Sequence, residues 1–210
     1  MVDRNGRRLN ILIADFLDLS RIETDRFKLS KAPFRIDDFL GELDLSFQPI
    51  FVGKSQSFHM EVHFLETWIE GDRIRLAQVI SNLLTNVSKY SDVGSQIRLV
   101  ARLNDSSLSV IIEDQGPGIR PEDLGKVCDL FFRAKEYEES TTPGTGVGLY
   151  VAKRIVELHG GTIILRSETG VGTSVTVEIP GVTPSIPVVK NPQESIFRTR
   201  FEEMVVESGA

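Results

Sequence analysis

Asp72-Arg-Ile-Arg-Leu-Ala-Gln-Val-Ile-Ser-Asn-Leu-Leu-Thr-Asn-Val-Ser-Lys-Tyr90 reads as a strongly periodic helix. Ile74, Leu76, Val79, Ile80, Leu83, Leu84 and Val87 recur at helical spacing and form one apolar face. Asn82, Asn86 and Lys89 fall about a turn apart on the opposite face, and Tyr90 follows at once. A carboxamide oxygen is a hard, neutral ligand for Mg²⁺, an ion that completes its shell with water and phosphate oxygens. A lysine one turn further on neutralises phosphate charge. Taken alone, the pattern fits a solvated helix face equally well.

Two glycine-rich stretches follow. Asp114-Gln-Gly-Pro-Gly-Ile119 closes an apolar strand. A carboxylate there accepts a hydrogen bond from an exocyclic amine such as that of adenine, and Gly116 and Gly118 let the backbone approach a ring. An ordinary strand-ending turn has the same composition. Gly144-Thr-Gly-Val-Gly-Leu149 surrounds the start of a helix, whose free N–H groups suit a polyphosphate. No Gly-Lys-Ser/Thr follows, so this is not a Walker loop, and no buried strand leads into it as a dinucleotide fingerprint requires. A glycine-ended lid is the remaining reading.

The surrounding chain supplies a mixed α/β frame. Helix is expected at 36–52, 72–90 and 147–159, and strand at 57–63, 67–70, 96–103, 108–113, 162–166 and 174–179. Residues 119–143 read as irregular. Without βαβ alternation this order implies a two-layer α/β sandwich. A long helix is expected over 3–31, its apolar stripe running through Leu9, Leu12, Ile13, Phe16, Leu17, Leu19 and Ile22, with Asp18 on a polar face. Such a helix suits a bundle that needs partner helices. Pro184, Pro187 and Pro192 mark an extended linker after Pro180, and Ser195–Val206 reads as a short helix. The expected division is therefore 1–32, 33–180 and 181–210.

The 210 residues carry a formal charge of −6, which argues against a general nucleic-acid binder. The single cysteine, Cys128, excludes an internal disulfide, fits a reducing compartment and reads as a packing residue. No apolar run approaches the ~20 residues that span a membrane. The expectation is a soluble, cytoplasmic segment without membrane contact, compatible with a membrane-anchored parent.

Together the motifs resemble the catalytic ATP-binding domain of sensor histidine kinases, an ATPase class shared with a heat-shock chaperone, mismatch-repair ATPases and type II topoisomerases. Asp72–Tyr90 resembles the asparagine box and Asp114–Ile119 the first glycine box. Leu130-Phe-Phe-Arg133 resembles the phenylalanine box, Pro143–Leu149 the second glycine box, and Val156-Glu-Leu-His-Gly-Gly161 a common sequel. Asp18-Leu-Ser-Arg-Ile-Glu23 resembles part of the second helix of the dimerisation and phosphotransfer hairpin. The resemblance implies a mixed, mostly antiparallel sheet under three helices. It also implies ATP with Mg²⁺ and residue roles. Asn86 would bind the metal, with Asn82 near metal and phosphates. Lys89 and Tyr90 would meet phosphate and ribose, and Asp114 the adenine amine, with Gly116, Gly118 and Ile119 about the ring. Arg133 would reach the γ-phosphate. Gly144, Thr145, Gly146, Val147, Gly148 and Leu149 would form the lid hinge and phosphate-facing backbone. Asn82, Lys89 and Arg133 form the candidate catalytic set.

Two positions refine that expectation. ATP-hydrolysing members of the class hold a glutamate as general base four residues before the metal asparagine. Asn82 stands there and cannot accept a proton at neutral pH, which favours phosphoryl transfer over an ATP-driven clamp. The family's acceptor histidine lies on the first hairpin helix. His59, His63 and His159 read as structural, so the acceptor helix is expected outside these residues. A response regulator and a homodimeric parent are the implied partners. A nucleotide-responsive scaffold without kinase activity is the alternative.

Overall fold

The computed structural model describes residues 13, 16–24, 26–64, 66–134 and 144–183. The expected start of the N-terminal helix, residues 135–143 of the lid, and the linker and tail over 184–210 lie outside them.

Sequence order gives a helix over 16–23 (α1), β1 (Ala32–Arg35), α2 (Ile36–Val52), β2 (Ser57–Val62) and β3 (Trp68–Gly71). There follow α3 (Arg73–Tyr90), β4 (Gln96–Asn104), β5 (Ser107–Asp114), α4 (Pro121–Leu124), α5 (Gly148–Leu158), β6 (Thr162–Glu168), β7 (Gly172–Pro180) and β8 (Val182–Thr183). A five-stranded sheet has the order β2-β4-β5-β7-β6. Only the β2–β4 pair is parallel. Helices α2, α3 and α5 pack together and against this sheet, which is the expected two-layer sandwich. Its core follows the strand period of two: Ile97, Leu99 and Ala101 lie beside Leu108, Val110 and Ile112, then Val175, Val177 and Ile179.

A second, three-stranded sheet has no counterpart among the sequence expectations. β1 and β8 pair antiparallel with either side of β3. Pro33 sits on the edge strand, where a missing N–H is tolerated. Val182–Thr183 adds its strand two residues past Pro180. Within the stretch expected to be irregular, Pro121–Leu124 forms one helical turn, with Pro at its start and Glu122 and Asp123 favouring the positive end.

The N-terminal helix is shorter than expected at its C-terminal side. It ends at residue 23, where the Thr24 hydroxyl donates to Ser20 O at 2.7 Å and the N–H groups of Arg26 and Phe27 turn back to Arg21 O. Phe27 then buries beneath the Arg75 guanidinium, 4.5 Å from its ring centre. Asp18, expected on a polar face, is buried and accepts from Arg75 Nη1 at 2.7 Å and Gln78 Nε2 at 2.8 Å. A buried carboxylate survives because it is paired and hydrogen-bonded. Ile13, Phe16 and Leu17 of the apolar stripe are exposed, whereas Leu19 and Ile22 are buried.

Asp72 fixes the start of α3. Its Oδ1 accepts the Arg75 N–H at 3.1 Å as an N-cap, and its Oδ2 accepts the Ser30 N–H at 2.8 Å. Its own N–H donates to His159 Nε2 at 3.0 Å, while His159 Nδ1–H donates to Ile155 O at 2.8 Å. The imidazole is therefore neutral, and burial holds its pKa below the ordinary histidine value. As pH falls, the unfolded chain takes up this proton first. The stability His159 contributes is complete above about pH 6.5 and is lost as pH drops from there through the depressed native value. Urea unfolding at pH 8 and pH 5.5 should show a loss of stability that His159→Gln, less stable at pH 8, reduces. An equal loss in both proteins would remove His159 as its source.

Candidate functional site

A cavity of about 990 Å³ opens between α3, the Asp114–Arg120 turn, the Val127–Ala134 segment and the start of α5. It is the right size for a nucleotide. Asn82, Asn86, Lys89, Tyr90, Asp114, Gly118, Ile119, Arg133, Gly144, Thr145, Gly146, Gly148 and Leu149 all line it. Two expected residues do not. Val147 is buried in the core, its N–H turned to Thr145 Oγ1 at 3.3 Å. Gly116 sits behind Asp114, and a Cβ on it would lie 2.7 Å from Asp114 Oδ1.

Asp114 is the last residue of β5, so the sheet carries its carboxylate to the cavity's inner end. Burial raises its pKa, and the N–H groups of Gly116 and Thr173 act against that rise. The Gly116 N–H donates to Asp114 Oδ1 at 2.7 Å. Leu83, Leu165 and Val175 give this end apolar walls. Asp114 is thus a half-buried acceptor in an apolar slot, suited to a flat heterocycle with one amine.

The opposite end is cationic and rich in donors. The last turn of α3 presents Lys89, whose Nζ lies 5.1 Å from the Tyr90 ring centre. Burial raises the Tyr90 pKa, and the nearby Arg133 charge opposes the rise. A Cβ on Gly144 would lie 2.8 Å from Lys89 Nζ and 3.7 Å from the Tyr90 hydroxyl, so the chain at Gly144 passes close beside both side chains. Two turns back, Asn82 Nδ2 donates to Gly148 O at 3.0 Å, clamping α3 to the first residue of α5. Among the described residues no side chain caps α5. Gly148 and Leu149 of its first turn line the cavity, and a helix start offers free N–H groups suited to an anion. The helix closes at the far end with Gly160 at φ +79° and Gly161 N–H bonded to Val156 O at 2.9 Å.

Other lining residues carry little signal in the sequence. Thr173 lies in register with Asp114 across β5 and β7, a partnership that no short motif announces. Lys54, Ile50 and Arg120 also line the cavity. Lys54 Nζ donates to Ser88 O at 2.5 Å, and Arg120 is held by Asp123 at 2.7 Å. Among the described residues no group of three or more His, Cys, Asp or Glu is placed to hold a metal ion. A cation here would take a carboxamide oxygen from α3 and the rest of its shell from water and a bound anion, which is how Mg²⁺ prefers to bind. No described helix is long and apolar enough to cross a membrane.

Comparison with known proteins agrees with this fold. Residues 71–183 match the family of histidine kinase-, DNA gyrase B- and HSP90-like ATPases. Sensor histidine kinase RcsC of Salmonella typhimurium is 31% identical over 181 residues, covering 86% of this chain and 19% of that protein. Sensor protein SrrB of Staphylococcus aureus is 31% identical over 177 residues, covering 83% and 30%. The chain therefore spans less than a third of the length of these relatives. Full-length ShkA, solved in complex with AMPPNP, superposes with a TM-score of 0.76 at 25% identity, covering 88% of this chain and 38% of ShkA. The catalytic domain of histidine kinase ThkA gives 0.64 at 25% identity, covering 72% and 96%.

Proposed function

This chain belongs to the family of histidine kinase-, DNA gyrase B- and HSP90-like ATPases, and from that premise we propose that it is the ATP-binding catalytic part of a two-component sensor histidine kinase. It transfers the γ-phosphoryl group of ATP to a histidine outside these 210 residues. The observation that carries this reading is one cavity with a half-buried carboxylate acceptor at one end and Lys89, Arg133 and the start of α5 at the other. Residues 1–32 contribute a hairpin helix, 33–180 the catalytic domain, and 181–210 a linker and tail. The parent is a homodimer that passes its phosphoryl group to a response regulator, and this segment is cytoplasmic.

Asp114 accepts the adenine amine. Ile119 with the walls of the inner slot packs on the ring, and Gly118 keeps the backbone low beside it. Asn86 holds Mg²⁺, which neutralises phosphate charge. Asn82, already fixed to Gly148, sets the distance between α3 and the α5 start. Lys89, Tyr90 and Arg133 line the phosphate and ribose side, and the 144–149 backbone supplies N–H donors. None of these groups is a base poised to activate water. Catalysis then rests on positioning and charge neutralisation.

The chain's own histidines are poor acceptors in this reading. His159 is buried and bonded through both ring nitrogens. His63 lies 3.6 Å from Glu61, and His59 sits in register with Arg98 on β4. Incubation with γ-labelled ATP should leave no acid-labile, base-stable label on this chain, and steady ATP turnover should be negligible. Label on His59, His63 or His159, or sustained hydrolysis without an acceptor, would overturn the proposal.

A further inference from the structure

The end of α3 is held by a side chain that takes no part in lining the cavity. Gln56, just before β2, is buried at 4% exposure. Its Nε2 donates to three carbonyl oxygens: Ser88 at 3.2 Å, Ser91 at 3.0 Å and Asp92 at 3.2 Å. Its Oε1 accepts from the Ser88 hydroxyl at 3.1 Å. Lys54 Nζ adds a bond to Ser88 O at 2.5 Å. The last carbonyls of a helix lack partners within it, and here one buried amide bonds Ser88 O in the last turn of α3 and the carbonyls of the two residues that follow the helix.

The placement of these bonds matters more than their number. Ser88 and Ser91 bracket Lys89 and Tyr90, the two residues that face the ribose and phosphate end of the cavity. The same turn backs onto the first glycine stretch, where a Cβ on Gly116 would lie 3.4 Å from Tyr90 O and 3.5 Å from Ser91 Cα. Gln56 therefore anchors, from behind, the segment joining the asparagine helix to the Asp114 side of the site. An apolar residue of the same length would fill the space, take this donor from the Ser91 and Asp92 carbonyls and leave Ser88 O to Lys54 alone. The turn would then trade its fixed position for solvent or for a shifted backbone.

We propose that Gln56 is a positioning residue for nucleotide binding, holding Lys89 and Tyr90 at the geometry the ribose and phosphates require. The inference rests on the reading of this cavity as an ATP site. Its test compares wild type, Gln56→Met and Leu108→Ala. Leu108 is a buried residue at the hairpin end of β5, far along the strand from Asp114. Gln56→Met should bind Mg·ATP about tenfold more weakly, as the loss of one well-made hydrogen bond implies. Leu108→Ala, equally or more destabilised, should bind within about twofold of wild type. Without nucleotide, amide exchange at residues 90–92 should quicken in Gln56→Met and stay unchanged in Leu108→Ala. Equal ATP affinity in Gln56→Met and wild type overturns the role of Gln56 alone, as does an equal weakening in both variants. Wild type that binds no Mg·ATP overturns the ATP reading and this role with it.

Discussion

Asp114→Asn should weaken ATP binding by about 10- to 150-fold, the equivalent of losing a hydrogen bond to a charged acceptor worth about 1.5–3 kcal/mol. The carboxylate has oxygens for two tasks. Oδ1 takes the Gly116 N–H at 2.7 Å, which leaves acceptor capacity for an amine in the slot. In asparagine the single oxygen stays with the Gly116 and Thr173 N–H donors, and the new amide nitrogen faces the adenine amine, donor against donor. Guanine carries an oxygen at the matching ring position. The variant should therefore lose ATP affinity and lose little or no affinity for GTP, so that the preference between the two narrows or inverts. Titration calorimetry with both nucleotides decides it. A uniform loss for ATP and GTP would mean that Asp114 shapes the slot without reading the base.

That sign-specific outcome depends on where β5 ends, and the ending is legible in the residues themselves. Leu108–Glu113 alternates, Asp114 breaks the apolar run, and two glycines follow. The α3 stripe is equally plain, because seven apolar residues at helical spacing leave Asn82, Asn86 and Lys89 only one face to occupy. What stays hidden in the sequence is pairing between distant segments. Nothing near Trp68 says that it pairs with both Arg35 and Thr183 to build a second sheet. Nothing in Asp-Leu-Ser-Arg says that Asp18 buries against Arg75, 57 residues away. The end of α1 is hidden for the same reason. Its sequence remains helix-compatible to Lys31, but Phe27 and Ser30 gain more from the core and from Asp72 than from another helical turn. Thr173 leaves no sequence signal because its own backbone N–H meets a carboxylate on another strand, and Gln56 leaves none because it bonds the backbone of a distant turn. The spacing rules detect side chains that share one element.

Gly118→Ala should destabilise the protein by about 2–5 kcal/mol. Left-handed backbone costs a non-glycine residue about 1–2 kcal/mol, and forced overlap in a packed region about 1–3 kcal/mol. Gly118 has φ +72°, and a Cβ there would lie 2.1 Å from Glu168 O and 2.7 Å from Glu168 C. Both obstacles are backbone atoms, so no rotamer change relieves them. Nor does the turn have freedom to retreat. The Ile119 N–H donates to Ser167 Oγ at 2.8 Å and the Gly170 N–H to Pro117 O at 2.8 Å, stitching the Asp114–Ile119 turn to the β6–β7 turn. Gly94→Ala and Gly125→Ala separate the two costs. Gly94 has φ +83° with nothing within 4 Å, so alanine there meets the backbone cost alone. Gly125 has φ −71° in open space, so alanine there should be neutral or slightly stabilising. The order of unfolding midpoints in urea should be Gly125→Ala at or above wild type, then Gly94→Ala, then Gly118→Ala. The Gly118 variant that remains folded should also lose most of its ATP affinity, because relief of the overlap moves Ile119 and Asp114 together. A Gly118→Ala protein no less stable than Gly94→Ala would mean that the two turns separate at little cost, and that the adenine end of the site is not held by this contact.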